Sequence, residues 1–169
     1  IVVSDNRRIH SHKVFKDIAN RGKSSTGWFF GFKLHLVINE IGEIMAFEIT
    51  TGNKADNNQT LLKHLFHNLE GTCFGDKGYL TKLWEELYEN GLKLITKVKK
   101  KMKNKLITLK EKYTLRKRAV IESVNDILIT VFDLEHSRHR KPINAFTHMC
   151  ATIVAYHVYP EKPRVFIPK

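Results

Sequence analysis

Trp28 to Asn39 reads as one long strand, in which apolar and polar residues alternate from Phe32 to Leu36. Phe32, Leu34, Leu36 and Ile38 fall on one face, with Lys33 and His35 on the other. A period of two over such a run predicts a half-buried β-strand. Glu40-Ile41-Gly42-Glu43 turns the chain, and Ile44 to Thr50 predicts the antiparallel partner. Upstream, Ile1 to Val3 read as the tail of an earlier strand, closed by Ser4-Asp5-Asn6, and Gly22 to Gly27 reads as a polar loop. The period changes after Thr50. Asp56 or Asn57 supplies helix-start chemistry. Leu61, Leu62, Leu65, Phe66 and Leu69 mark one helical face, which Gly71 ends. Thr72 to Phe74 returns to strand. Thr81 can cap a helix to Asn90, with Leu83, Trp84, Leu87 and Tyr88 inward and Asn90-Gly91 as its stop, and Leu92 to Thr96 is again strand. Thr114 to Phe132 predicts a helix with Val120, Val124, Ile127, Leu128 and Val131 as its buried stripe. Arg118, Glu122, Asn125 and Ile129 share the opposite side. Pro142 suits the first turn of a last helix, running to about His157.

This order of strand, hairpin, helix, strand, helix, strand, helix and helix predicts an α/β fold with a mixed sheet flanked by helices. Residues 1–159 form one domain in this reading, and 160–169, with three prolines, an extended tail. A chain of 169 residues is long enough to bury a real core.

Charge sharpens the picture. Lys and Arg number 29 against 17 acids, a net charge of +12, which points to a polyanionic partner. The excess is clustered. Lys97, Lys99, Lys100, Lys101, Lys103 and Lys105 fall within nine residues, and His136-Ser137-Arg138-His139-Arg140-Lys141 forms a second basic knot. A like-charged run is a solvated loop in most proteins, and such a loop can also hold phosphates. Cys73 and Cys150 are the only cysteines and form no CxxC pair, which fits a reducing cytosol. The most apolar stretch, Phe146 to Val158, has 13 residues. A membrane span needs about 20. The chain opens within a strand and without Met, which reads as an N-terminally truncated fragment.

The chemistry centres on Thr72-Cys73-Phe74-Gly75-Asp76-Lys77-Gly78-Tyr79. Open α/β sheets bind ligands outside the carboxyl ends of their strands, and Asp76 stands where such a site places an acid. The plainer reading makes Asp76 a solvated turn residue. Glu122 lies on a polar helix face, either paired with Arg118 four residues earlier or turned toward a polar site. Two carboxylates on separate elements of a basic chain suggest metal-assisted phosphoryl chemistry, which needs about three acids.

Several blocks of the chain resemble the catalytic region of bacterial insertion-sequence transposases of the DDE class. They are Asn6-Arg7-Arg8-Ile9-His10 with Lys13-Val14-Phe15-Lys16, Gly27 to Leu36, Thr51-Gly52-Asn53 with Asp56, Gly75-Asp76-Lys77-Gly78-Tyr79, Arg118 with Glu122, and His136-Ser137-Arg138-His139. The resemblance covers nearly the whole chain in order. It implies a ribonuclease-H-like fold with the first strand largely missing, and DNA transposition as the function. Asp76 and Glu122 would be catalytic, metal-binding acids for Mg²⁺ or Mn²⁺, two ions in the intact parent. Arg7, Arg8, Lys77, Lys97, Lys99, Lys100, Lys101, Arg118, Arg138 and Arg140 would contact DNA. Double-stranded DNA at element ends and target would be the partner. The active form would be a homo-oligomer, working in a bacterial cytoplasm at the nucleoid, with no membrane. The sequence departs from the pattern twice. The family's first aspartate falls upstream of Ile1, leaving Asp5 as the nearest acid. Ile129 stands where related transposases carry lysine. These departures suggest a fragment that is itself inactive. The alternatives are a non-catalytic DNA-binding remnant and a ribonuclease-H-like nuclease.

Other residues carry weaker signals. His64/His67 and His136/His139 have metal-compatible spacing without a third ligand and read as surface or phosphate-facing. His35 reads as packed or solvent-facing. Trp28-Phe29-Phe30 reads as core or strand start, with base stacking as the alternative. Trp84 and Tyr88 read as core.

Overall fold

The computed structural model describes residues 1–4, 9, 13–24, 27–75, 83–96, 113, 119–135 and 139–165. The long alternating stretch is the strand β3, Gly27–Ile38, around which the antiparallel sheet forms. Its first part pairs with β2, Asn20–Ser24, and its second with β4, Ile44–Thr51. The strand β1, Val2–Ser4, pairs with its middle, so Gly31 is registered with both Val2 and Asn20. The expected polar loop at Gly22 is therefore partly strand. Its sequence, Asn-Arg-Gly-Lys-Ser, has no apolar alternation to announce it, because β2 leaves most of its residues exposed. A Cβ on Gly22 would run into the Gly52 carbonyl, and one on Gly52 into that of Asn20, so β2 and β4 abut closely under the Phe29 ring.

The β3–β4 register slips where Val37 faces Ala46 and Ile38 faces Ile44. Met45 is the extra residue, 54% exposed. The bulge lets Ile44 join Leu34, Leu36, Ile38 and Ile49 on one face although its parity is wrong. That face meets helix α3, Val120–Thr130, and helix α4, Pro142–Val158. Phe30, Phe32, Val124, Leu128, Ala145, Met149 and Tyr156 are buried together there. Val37 and Ala46, on the other face, pack against helix α1, Gln59–Phe66, through a second core of Leu62, Leu65, Phe66, Leu83, Leu87 and Leu92.

Asn58 caps α1, accepting the Leu61 N–H at 3.1 Å, in place of the expected Asp56 or Asn57. The helix also stops at Phe66, before Gly71, which instead begins β5, Gly71–Gly75. β5 runs parallel to β6, Leu92–Thr96, through the crossover helix α2, Trp84–Glu89. Antiparallel and parallel pairing thus both occur, flanked by helices. On α2 only Leu83 and Leu87 reach the core. Trp84 and Tyr88, expected inside, are 45% and 62% exposed, because the six-residue helix needs a single leucine pair to cover its partner strand. Val131 is also exposed, against expectation. The chain leaves the helix and turns through Asp133, whose φ is +53°, and Leu134 fills the buried place instead.

The tail is strapped to the β3–β4 turn. Val165 N–H donates to the Glu40 carbonyl at 2.8 Å, and the buried Tyr156 hydroxyl donates to the Gly42 carbonyl at 2.7 Å. Gly42 has φ +79° and its Cα lies against the Pro163 carbonyl, a place closed to any side chain.

Candidate functional site

The parallel pair fixes the end of the molecule where the expected acid stands. Gly75, the last residue of β5, is registered with Thr96, the last residue of β6. The chain therefore leaves both strands at the same carboxyl end, with Asp76 next in sequence after one and Lys97 after the other. Strand carboxyl ends are where α/β sheets place ligands. Asp76, Lys77, Lys97, Lys99, Lys100, Lys101, Arg7, Arg8, Arg118 and Arg138 themselves lie outside the described residues, as do Asp5, Thr81 and His136.

Glu122 is described. It sits in the first turn of α3, opposite the buried Val124 and Leu128, and is exposed. An acid here also suits the positive end of the helix. Its backbone N–H donates to the Ala119 carbonyl at 2.9 Å. Among the described residues its carboxylate has no ion-pair partner. Arg140, also exposed, directly precedes Lys141 at the start of α4, and no ion pair joins it to Glu122. Ile129 lies on the exposed side of α3 with Glu122 and Asn125. β1 reads Val-Val-Ser and carries no carboxylate. Among the described residues no group of three or more His, Cys, Asp or Glu gathers as a metal cage. The donors that are candidates, Asp76 and Glu122, are hard carboxylates of the kind that Mg²⁺ and Mn²⁺ take, so the residue types fit such an ion.

Sequence reasoning missed a polar network on the α1 side of β3. Lys33 Nζ donates to the Lys54 carbonyl at 2.8 Å and to Asp56 Oδ1 at 3.0 Å. This bond explains why Asp56 is not the helix cap. His35 is 2% exposed and bonds Thr50 Oγ1 at 3.1 Å through Nε2. The network pins the Thr51–Asp56 loop to the central strand. The regular spacing of Lys33 and His35 opposite the apolar stripe was its only sequence signal.

Burial lowers the His35 pKa from its ordinary 6.5, with Asp56 opposing the shift. The sign follows from linkage. Above 6.5 His35 is neutral in both states and costs nothing. Below it the unfolded chain takes up a proton that the folded one resists, so stability is lost as the pH is lowered. The melting temperature between pH 5.0 and 7.5 is expected to drop less in His35→Gln than in the parent chain. Equal slopes would show that His35 does not drive the loss.

His148 Nε2–H donates to the Asp133 carbonyl at 2.8 Å, and its ring lies 5.2 Å from that of His139. His64 and His67 are exposed at the end of α1. Burial pushes the Cys73 thiol up to about 11, so it stays protonated, while Cys150 is exposed on α4.

The described residues form a mixed α/β domain within a strongly basic chain of net charge +12. A family profile described as a Transposase DDE domain matches residues 1–142, and the chain belongs to that family. Its mixed α/β architecture agrees with the ribonuclease-H-like fold of such domains. Its function is therefore a transposition-related one on DNA. Neither a curated protein nor a solved structure matches the chain. Among the described residues no helix is long and apolar enough to cross a membrane.

Proposed function

We propose that this chain is the catalytic region of an insertion-sequence transposase that cuts DNA at the ends of its element and joins them to a target. The family match carries this reading. The common exit of the acid-bearing and lysine-bearing segments from β5 and β6 supports it. Asp76 and Glu122 would hold divalent ions, Mg²⁺ or Mn²⁺. When bound, such ions activate the attacking oxygen and stabilise the leaving one. Lys77, Lys97, Lys99, Lys100 and Lys101 would bind the DNA backbone beside the acids, with Arg7, Arg8, Arg138 and Arg140 extending the basic track. Arg118, four residues before Glu122 in sequence, would orient its carboxylate or touch a phosphate. Residues 1–159 form the catalytic domain in this reading, with 160–169 as an extended tail. The protein works on the bacterial nucleoid, in the cytoplasm.

The active form is a homo-oligomer in the same reading. Pro142–Val158 contains no charged residue, and Ile143, Val154 and Val158 are exposed along it. Two strongly basic copies can approach most readily through such an uncharged face.

A second reading is favoured by Ile129, an apolar residue on the exposed side of α3 that carries Glu122. In it, the 169-residue chain binds DNA without cutting it. Supercoiled plasmid incubated with the chain and Mg²⁺ separates the two. Nicking that EDTA and Asp76→Asn both abolish is expected from the first. Nicking that survives Asp76→Asn overturns the assignment of that acid. Binding without nicking, indifferent to sequence and falling steeply with salt, is the mark of the second.

A further inference from the structure

We propose that the β2–β3 ribbon is a stacking platform for an unpaired DNA base, with Trp28 as its surface. The proposal rests on the DNA reading above and adds a place and a ligand chemistry to it. Trp28 heads the apolar stripe of β3. Phe30 and Phe32, two and four residues on, are buried under the helices, while Trp28 is 60% exposed. The stripe thus outruns the core. Trp28 is registered directly opposite Lys23 on β2, and the Lys23 ammonium lies 5.7 Å from the indole centroid. Arg21, two residues from Lys23, is on the same face and exposed. The preceding turn adds the exposed Lys13 and Lys16, against one acid, Asp17, between Lys13 and Gly31. Five consecutive backbone pairs, Asn20↔Gly31 to Ser24↔Gly27, hold the ribbon in one shape.

An aromatic ring beside exposed cations matches a ligand with a flat π system and an adjoining negative charge. A nucleotide has both. In an intact duplex the base faces are already covered by their neighbours, so the base that fits Trp28 is unpaired, in a single strand or an opened end. The molecule contains its own contrast. Trp84 is also exposed, but Glu85, Glu86 and Glu89 are exposed on the same short helix and would repel a phosphate.

The chain has two tryptophans, so Trp84→Phe leaves Trp28 as the sole fluorescent reporter. Titration of this variant with oligo-dT is expected to quench its fluorescence. An abasic strand with the same number of phosphates is expected to bind without comparable quenching. Trp28→Ala is expected to weaken oligo-dT binding about 5- to 150-fold and to leave blunt-duplex binding within about twofold. Trp28→Phe, which keeps a stacking face, is expected to recover much of the loss, with its melting temperature as the folding check. Equal quenching by the abasic strand, or no loss in Trp28→Ala, overturns the platform while leaving the DNA reading standing. Failure to bind any DNA at low salt overturns both.

Discussion

Glu122→Gln is expected to lower Mg²⁺-dependent strand cleavage about 10³-fold without unfolding the protein. The two halves of this outcome come from the position of the residue on α3. Glu122 is exposed on the side away from Val124 and Leu128, so the change empties no core space. Gln keeps the shape and removes the charge. Losing a favourable acid at a helix N-terminus costs about 0.3–1 kcal/mol, a small change in melting temperature. The catalytic half is larger. Metal-borne stabilisation of phosphoryl-transfer charge amounts to several kcal/mol, and about 4 kcal/mol is about 10³-fold in rate. DNA binding in EDTA is expected to stay the same, because the basic residues are untouched. If the chain binds DNA without cutting it, the same substitution is read on Mn²⁺ affinity by electron paramagnetic resonance, with a loss of about tenfold expected. Unchanged cleavage, or unchanged Mn²⁺ affinity, would make Glu122 a solvated helix residue.

The strand and helix pattern was readable where one period persisted over many residues. β3 announced itself because Phe32, Leu34, Leu36 and Ile38 recur on one face within a twelve-residue strand. α4 did so because Pro142 marks its start and apolar residues fill its length. Legibility failed where local chemistry offered several equivalent choices. Asp56, Asn57 and Asn58 can each cap a helix; Lys33 engages Asp56, and Asn58 is the one that accepts the Leu61 N–H. β2 is polar and mostly exposed, so no alternation marked it as strand. Trp84 and Tyr88 keep helical spacing with the inner leucines, yet nothing in that spacing says how wide a partner surface α2 has to cover.

The same distinction holds for the site. The block around Asp76 and the Arg118–Glu122 pair were legible as motifs, because resemblance depends on residue order. The common exit of β5 and β6 was not, since it depends on a parallel register that no local pattern specifies. The exposure of Trp28 belongs to this second kind too. An aromatic at the head of an apolar stripe reads as core unless the edge of that core is known.

Leu128→Ala is expected to destabilise the chain by about 2–5 kcal/mol, the range for emptying a well-packed leucine site. Leu128 is fully buried, one turn past Val124, in the core that joins α3 and α4 to β3. Its neighbours belong to strands and helices far apart in sequence, including Phe32, Met149 and Tyr156, so collapse around the gap would have to move several elements at once. The matched control is the next residue. Ile129 is 42% exposed on the Glu122 side, and Ile129→Lys is expected to change stability by no more than about 0.5 kcal/mol. Urea denaturation followed by circular dichroism measures both, with an unchanged slope showing that the unfolded ensemble is the same. The pair also separates structure from function on one helix. Leu128 holds α3 against the sheet, whereas Ile129 lies on the side that presents Glu122. A large loss for Ile129→Lys with a small one for Leu128→Ala would mean that α3 packs through the opposite face. Glu122 would then point into the protein, away from any DNA.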